Sequence, residues 1–145
     1  MAEHRARFVG TFEHGLDDKG RMVLPSRIRA QLGETGMLAM LDSCVGLWSI
    51  DGFDEMADEI HRRVDAKEVS MLAFRQFMAN AAEVTPDQQG RIVVPQVLRD
   101  YADLGSQVVI NGRHDRAEIW DRARWSGMTP DGNADLATSV AELGL

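Results

Sequence analysis

Apolar and polar residues alternate in short runs near both ends of the chain, and the spacing changes to three and four in the middle. In Arg21-Met22-Val23-Leu24 the alternation predicts a strand with Met22 and Leu24 on one face and Arg21 and Val23 on the other. The preceding Asp17-Asp18-Lys19-Gly20 is a tight-turn composition. An Asp side chain there accepts bonds from backbone N–H groups two or three residues on, and Gly takes the positive-φ position that closes the hairpin. Pro25 suits the first position of a helix, Ile28 and Leu32 give that helix an apolar stripe, and Gly33 suits its C-terminal cap. Residues 37–41 and 46–50 read as a strand pair around Asp42-Ser43-Cys44, with Trp48 as a large apolar anchor.

From Phe53 the period becomes helical. Phe53, Met56, Ile60 and Val64 line one face, the outer face is acidic, and Asp51 is the expected N-cap. Asp65-Ala66-Lys67-Glu68 reads as a break before a second helix, which runs from about Ser70 through Met71, Phe74, Phe77 and Met78. This helical hairpin spaces two halves of the chain, and its Met-rich second member is a candidate for subunit contacts. Strands follow at 82–84 and 108–110, with a hairpin signal at Asn111-Gly112 and a further strand at 117–120. Asp121 is placed to cap a helix containing Trp125. Beyond it, Thr129-Pro130-Asp131-Gly132-Asn133 reads as a breaker, which predicts a flexible tail with a short helix at 134–143.

The two halves are copies. Asp17-x-x-Gly20-Arg21, three apolar residues and Pro25 return as Asp87-x-x-Gly90-Arg91, three apolar residues and Pro95, at a constant offset of 70 residues. Arg29 matches Arg99, both copies reach Leu-Gly (Leu32-Gly33, Leu104-Gly105), and Trp48 aligns with Trp120 after a drift of two. Each copy reads as strand, turn, strand, short helix. The division this predicts is a first repeat at 8–51, a helical linker at 52–80, a second repeat at 81–125 and a tail at 126–145.

On these residues the unit resembles the SpoVT-AbrB DNA-binding domain, and two tandem units in a chain of this length resemble the MraZ family. The resemblance implies an α+β fold in which two interlocked hairpins form one pseudo-two-fold, swapped-hairpin β-barrel with the helical hairpin packed outside. It implies a ring-shaped homo-oligomer that binds double-stranded DNA. The corresponding function is a transcriptional regulator acting at direct repeats upstream of the division and cell-wall gene cluster. The alternative is an oligomeric, ring-forming scaffold protein with only weak DNA binding.

Charge refines that expectation. The net charge of −7 argues against a nucleic-acid partner until its distribution is considered. Residues 51–68 hold seven acids against three bases and 129–145 three acids against none, whereas 1–33 hold six Lys/Arg against four acids. An acidic balance elsewhere lowers non-specific DNA affinity without forbidding a basic face. The apolar runs are too short for a membrane span, the first seven residues lack a signal-peptide core, and the single Cys44 fits a reducing compartment. A cytoplasmic, nucleoid-associated protein is expected.

The candidate chemistry is recognition, not catalysis. Asp17 and Asp87 are turn formers that present an arginine. A turn does not require Arg at position 21 or 91, and the planar guanidinium fork reads guanine edges or clamps phosphate. Lys19 is a candidate phosphate contact, with Gln89 as its counterpart. Arg29 and Arg99 are candidate DNA contacts, or else helix-surface charges covering the fold with their stems. Arg27 has no basic counterpart, since Val97 stands there, and Arg5 and Arg7 upstream are candidates for further phosphate contact. His4, His14, His61 and His114 show no metal-ligand spacing, and Cys44 has no catalytic partner in view, so no metal, cofactor, small-molecule substrate or enzymatic activity is expected.

Overall fold

A computed structural model describes residues 5–145; His4 and the residues before it lie outside the described part. The first repeat contributes β1 (Thr11–Gly15), β2 (Arg21–Val23), α1 (Ser26–Leu32), β3 (Gly36–Met40) and β4 (Val45–Ser49). The linker is α2 (Ile50–Asp65) and α3 (Met71–Ala79). The second repeat follows the same order with β5 (Ala82–Val84), β6 (Arg91–Val93), α4 (Gln96–Tyr101), β7 (Gln107–Gly112) and β8 (Ala117–Asp121), and α5 (Arg122–Glu142) closes the chain. None of the described helices is long and apolar enough to cross a membrane.

The repeats are exchanged through their strands. A six-stranded antiparallel sheet runs β1-β7-β8-β4-β3-β5, so the first strand of each repeat pairs with the third strand of the other. The second strands pair with each other as a separate two-stranded ribbon, β2–β6. This corrects the expected barrel. The large sheet ends at β1 on one side and β5 on the other, and no ladder joins them, so the architecture is α+β with an open sheet rather than a closed barrel.

The main core lies between this sheet, the inner face of the ribbon and the two short helices. Met22 and Ile92 point into it from the ribbon, Ile28 and Leu98 from α1 and α4, and Leu38, Leu47, Ile110 and Ile119 from the sheet. A second core forms where Trp48 meets the linker. Phe53 and Phe77 stack on each other with centroids 5.7 Å apart, and both present edges to the Trp48 indole. Phe53, Met56 and Ile60 of the predicted α2 stripe and Phe77 of α3 therefore pack against the sheet, while Met71 and Met78 of α3 stay exposed.

Four local expectations are corrected. Pro25 and Pro95 are N-caps rather than first helical residues, because their ψ angles, 141° and 149°, are still extended. Helix α2 starts at Ile50 and is capped by Ser49, whose hydroxyl accepts from Gly52 N–H, which leaves Asp51 inside the first turn. Asn111 and Gly112 remain in β7, and the chain reverses at Arg113–Arg116 with His114 at φ 71°. Finally, α5 is one helix through Pro130 where a tail with a short helix at 134–143 was expected. Asp121 caps it as predicted, accepting from Arg124 N–H. The missing donor of Pro130 falls on an exposed stretch of the helix, where water can serve the unpaired carbonyl.

Candidate nucleic-acid interface

Each predicted turn is built around one carboxylate. Asp17 Oδ1 accepts from the backbone N–H groups of Lys19 (3.0 Å) and Arg21 (2.8 Å), and the Asp17 carbonyl accepts from Gly20 N–H. Gly20 sits at φ 82°, the left-handed region that an L side chain rarely adopts. The second copy repeats every bond, with Asp87 Oδ1 accepting from Gln89 and Arg91 N–H (both 2.9 Å) and Gly90 at φ 78°.

The remaining carboxylate oxygen aims the arginine. Arg21 Nε donates to Asp17 Oδ2 at 2.7 Å and Arg91 Nε to Asp87 Oδ2 at 2.9 Å. Both pairs are exposed, and a surface ion pair contributes little to stability, so orientation is the larger effect. Because Nε is the engaged atom, both terminal nitrogens of each guanidinium lack a hydrogen-bond partner among the described residues. The bonds donated by Arg21 N–H and its side chain hold Asp17 below its usual carboxylate pKa, and those from Arg91 act in the same way on Asp87.

The ribbon puts the two arginines on one face. Arg21 pairs with Val93 and Val23 with Arg91, so the outer surface carries two guanidiniums on a diagonal with an exposed valine beside each. Reciprocal bonds lengthen the ribbon, Leu24 N–H to Gly90 carbonyl (2.8 Å) and Val94 N–H to Gly20 carbonyl (2.7 Å). Residue spacing gave the pair of turns. Their juxtaposition, and the two valines between them, depend on a strand pairing that sequence reading missed. The matched Gly20…Leu24 and Gly90…Val94 spacings were the signal for it.

The other candidates fall in different places. Lys19 is exposed at the tip of the first turn, as Gln89 is at the second. Arg29 and Arg99 are half-buried on α1 and α4, each lying against the turn of the opposite repeat. Arg27 is exposed. Arg5 and Arg7 do not join the basic turn. Arg7 N–H donates to Gln31 Oε1 and Phe8 is bridged to His114, which places both arginines beyond the end of β1 opposite its turn.

Elsewhere, the described residues contain no His/Cys/Asp/Glu cluster of metal-binding geometry. His61 stacks on Phe74, and burial pushes the Cys44 thiol up to about 12, which makes it a neutral packing group.

Comparison with known proteins covers both halves of the chain. The family model described as "MraZ protein, putative antitoxin-like" matches residues 7–75 and again 77–142. The chain is 39% identical to the transcriptional regulator MraZ of Bifidobacterium longum (strain NCC 2705) over 136 residues, 91% of each chain. It is also 39% identical to the protein of that name from Acetivibrio thermocellus, covering 93% of this chain and 94% of the other. With that of Salinispora arenicola the identity is 35%, covering 90% and 92%.

Proposed function

This chain belongs to the MraZ family, and from that premise we propose that it is a sequence-specific DNA-binding transcriptional regulator. The observation that supports this reading most directly is the β2–β6 ribbon, where Asp17 and Asp87 each aim an arginine outward from one common face. Terminal guanidinium nitrogens in a fixed orientation suit guanine O6 and N7 in the major groove, and the valines between them suit a thymine methyl group. A two-stranded ribbon is narrow enough to enter that groove. Lys19 adds phosphate attraction at one end.

We further propose a finer arrangement of the chain, its assembly and its sites. The swapped-hairpin arrangement is the form in which single-unit relatives pair two chains, here carried within one. The repeats at 8–51 and 81–125 are its two halves, with 52–80 as spacer and 126–145 as an appendage. The protein assembles as a homo-oligomer, a ring in the family's manner, and works in the cytoplasm on the nucleoid. Its sites are direct repeats upstream of the division and cell-wall genes. Exposed Met71, Leu72 and Met78 on α3 offer an apolar surface for such assembly. A ring offsets the acidic net charge, because several weak heads on repeated sites act through effective concentration.

A gel shift on the DNA upstream of the protein's own gene tests the function. The parent protein shifts that duplex in preference to a scrambled one, and the Arg21→Ala/Arg91→Ala double variant loses the preference. Equal binding to both duplexes by the parent would leave the scaffold alternative as the better account.

A further inference from the structure

The two turns are coupled by arginines that are not part of them. Arg99, on α4 of the second repeat, donates Nε to the Val94 carbonyl at 3.0 Å and Nη1 to the Asp18 carbonyl at 3.4 Å, and Asp18 is 81 residues away in the first turn. Its guanidinium lies over Gly20, so close that a Cβ added there would stand 2.8 Å from Nε and 3.1 Å from Cζ. Arg29, on α1 of the first repeat, lies over Gly90 in the same way, its Cζ 3.2 Å from where a Cβ would be. Each turn glycine thus combines a positive φ with close approach of the other repeat, the Val94 carbonyl and Arg99 at Gly20 and the end of Arg29 at Gly90.

This packing changes what Arg29 and Arg99 can do. A half-buried guanidinium laid on backbone, with Nε and one terminal nitrogen bonded to carbonyls, has little left to offer a base edge. It fixes the carbonyl of Asp18, the residue that follows the turn carboxylate, and so limits how far the Asp17–Arg21 unit can tilt. We propose that Arg99 and Arg29 are positioning residues acting across the repeats: Arg99 sets the orientation of the Arg21 turn and Arg29 that of the Arg91 turn. Base selection by each turn then depends on an arginine of the opposite half. The proposal deepens the DNA-binding reading above and rests on it for that consequence, but the clamp itself can be tested without DNA.

The test uses the full chain as Arg99→Met, Arg99→Lys and Arg29→Met, each checked by circular dichroism. Amide exchange by NMR reads the turns directly. In Arg99→Met, exchange at Lys19, Gly20 and Arg21 speeds up several-fold while Gln89, Gly90 and Arg91 are unchanged. In Arg29→Met the pattern reverses, with a smaller effect because the Arg29 side chain makes no hydrogen bond among the described residues. Arg99→Lys keeps the charge and loses the flat fork, so it behaves as Arg99→Met does. A second arm measures binding to a panel of duplexes with single base changes. The positions at which Arg99→Met loses discrimination are those lost by Arg21→Ala, not those lost by Arg91→Ala.

Loosening confined to a variant's own repeat, equal loosening of both turns, no loosening, or full rescue by lysine would each overturn the clamp. A parent protein that discriminates among no duplexes defeats the DNA-binding reading instead, and the exchange arm still decides whether the clamp exists.

Discussion

Arg21 stands directly opposite Val93 across the antiparallel β2–β6 ribbon, and Arg91 stands opposite Val23. The two arginines are therefore diagonal neighbours, on the order of 7–8 Å apart with their Cβ atoms somewhat closer. That separation is on the scale of two base-pair steps. The pair shares one exposed face of the ribbon, although 70 residues separate its members in the chain.

Replacing either arginine with alanine should cost about 1–3 kcal/mol of discrimination for the bidentate pair lost. Because the side chains are exposed and contribute little to folding, thermal unfolding should be nearly unchanged. Fluorescence anisotropy on specific and scrambled duplexes measures the first effect, and a melting curve the second. An unchanged specific affinity in the double variant refutes the assignment.

The turn carboxylates carry a pH signature. Their folded-state pKa values are depressed, so the bonds they accept contribute above the unfolded pKa and are lost as pH falls through the folded value. The Lys19 and Gln89 amide signals should titrate with midpoints below the ordinary Asp value of about 3.9. Asp17→Asn should abolish the Lys19 titration and weaken specific binding by releasing Arg21 from its fixed direction. A Lys19 midpoint at or above the ordinary value would mean that the carboxylate is not held as described.

The halves differ in phosphate attraction at the turn tip. Lys19→Gln, which makes the first tip like the second, should flatten the slope of log affinity against log salt by about 0.9 if that lysine meets one phosphate. Gln89→Ala should leave the slope alone. Replacing Arg5 and Arg7 with serine should change it less than Lys19→Gln does, because both lie beyond the opposite end of β1. Salt titrations on one operator and one scrambled duplex compare the three variants, and a larger effect from the N-terminal pair would show that the basic face lies elsewhere.

The second core should be a discrete source of stability. Phe77→Ala removes a ring stacked on Phe53 and edged by Trp48, at a cost of about 3–5 kcal/mol for a buried aromatic. Chemical denaturation should show that loss, with α2 and α3 exchanging their amides before the β2–β6 ribbon does. Equal loosening of the ribbon would mean that the two cores unfold as one unit.

Assembly can be separated from recognition. Light scattering should report several times the 16.1 kDa chain mass, and Leu72→Glu should lower it by charging the apolar face of α3. A parent protein that stays monomeric at micromolar concentrations removes the ring and its avidity.

By itself, the sequence determined the features that local chemistry dictates. The Asp-x-x-Gly-Arg turns follow from which residues accept backbone N–H groups and which tolerate positive φ. The strands beside them follow from alternation, and the linker helices from the spacing of Phe53, Met56 and Ile60. Duplication, with Arg29 matching Arg99, showed that the turn is built twice. Helix starts slipped by a residue or two because Ser49 can cap as readily as Asp51, and local preference does not separate them. Helix α5 ran through Pro130 because one missing donor on a solvated helix is tolerated. Tertiary structure alone decided that β1 pairs with β7 and β5 with β3, that the sheet stays open, and that β2 meets β6. Strand pairing between repeats joins residues from 44 (Leu38 with Ala82) to 100 (Thr11 with Asn111) positions apart, and no local propensity specifies a partner at that distance. The same long-range pairing lays Arg99 over Gly20 and Arg29 over Gly90, contacts between the repeats that the helix spacing alone did not reveal.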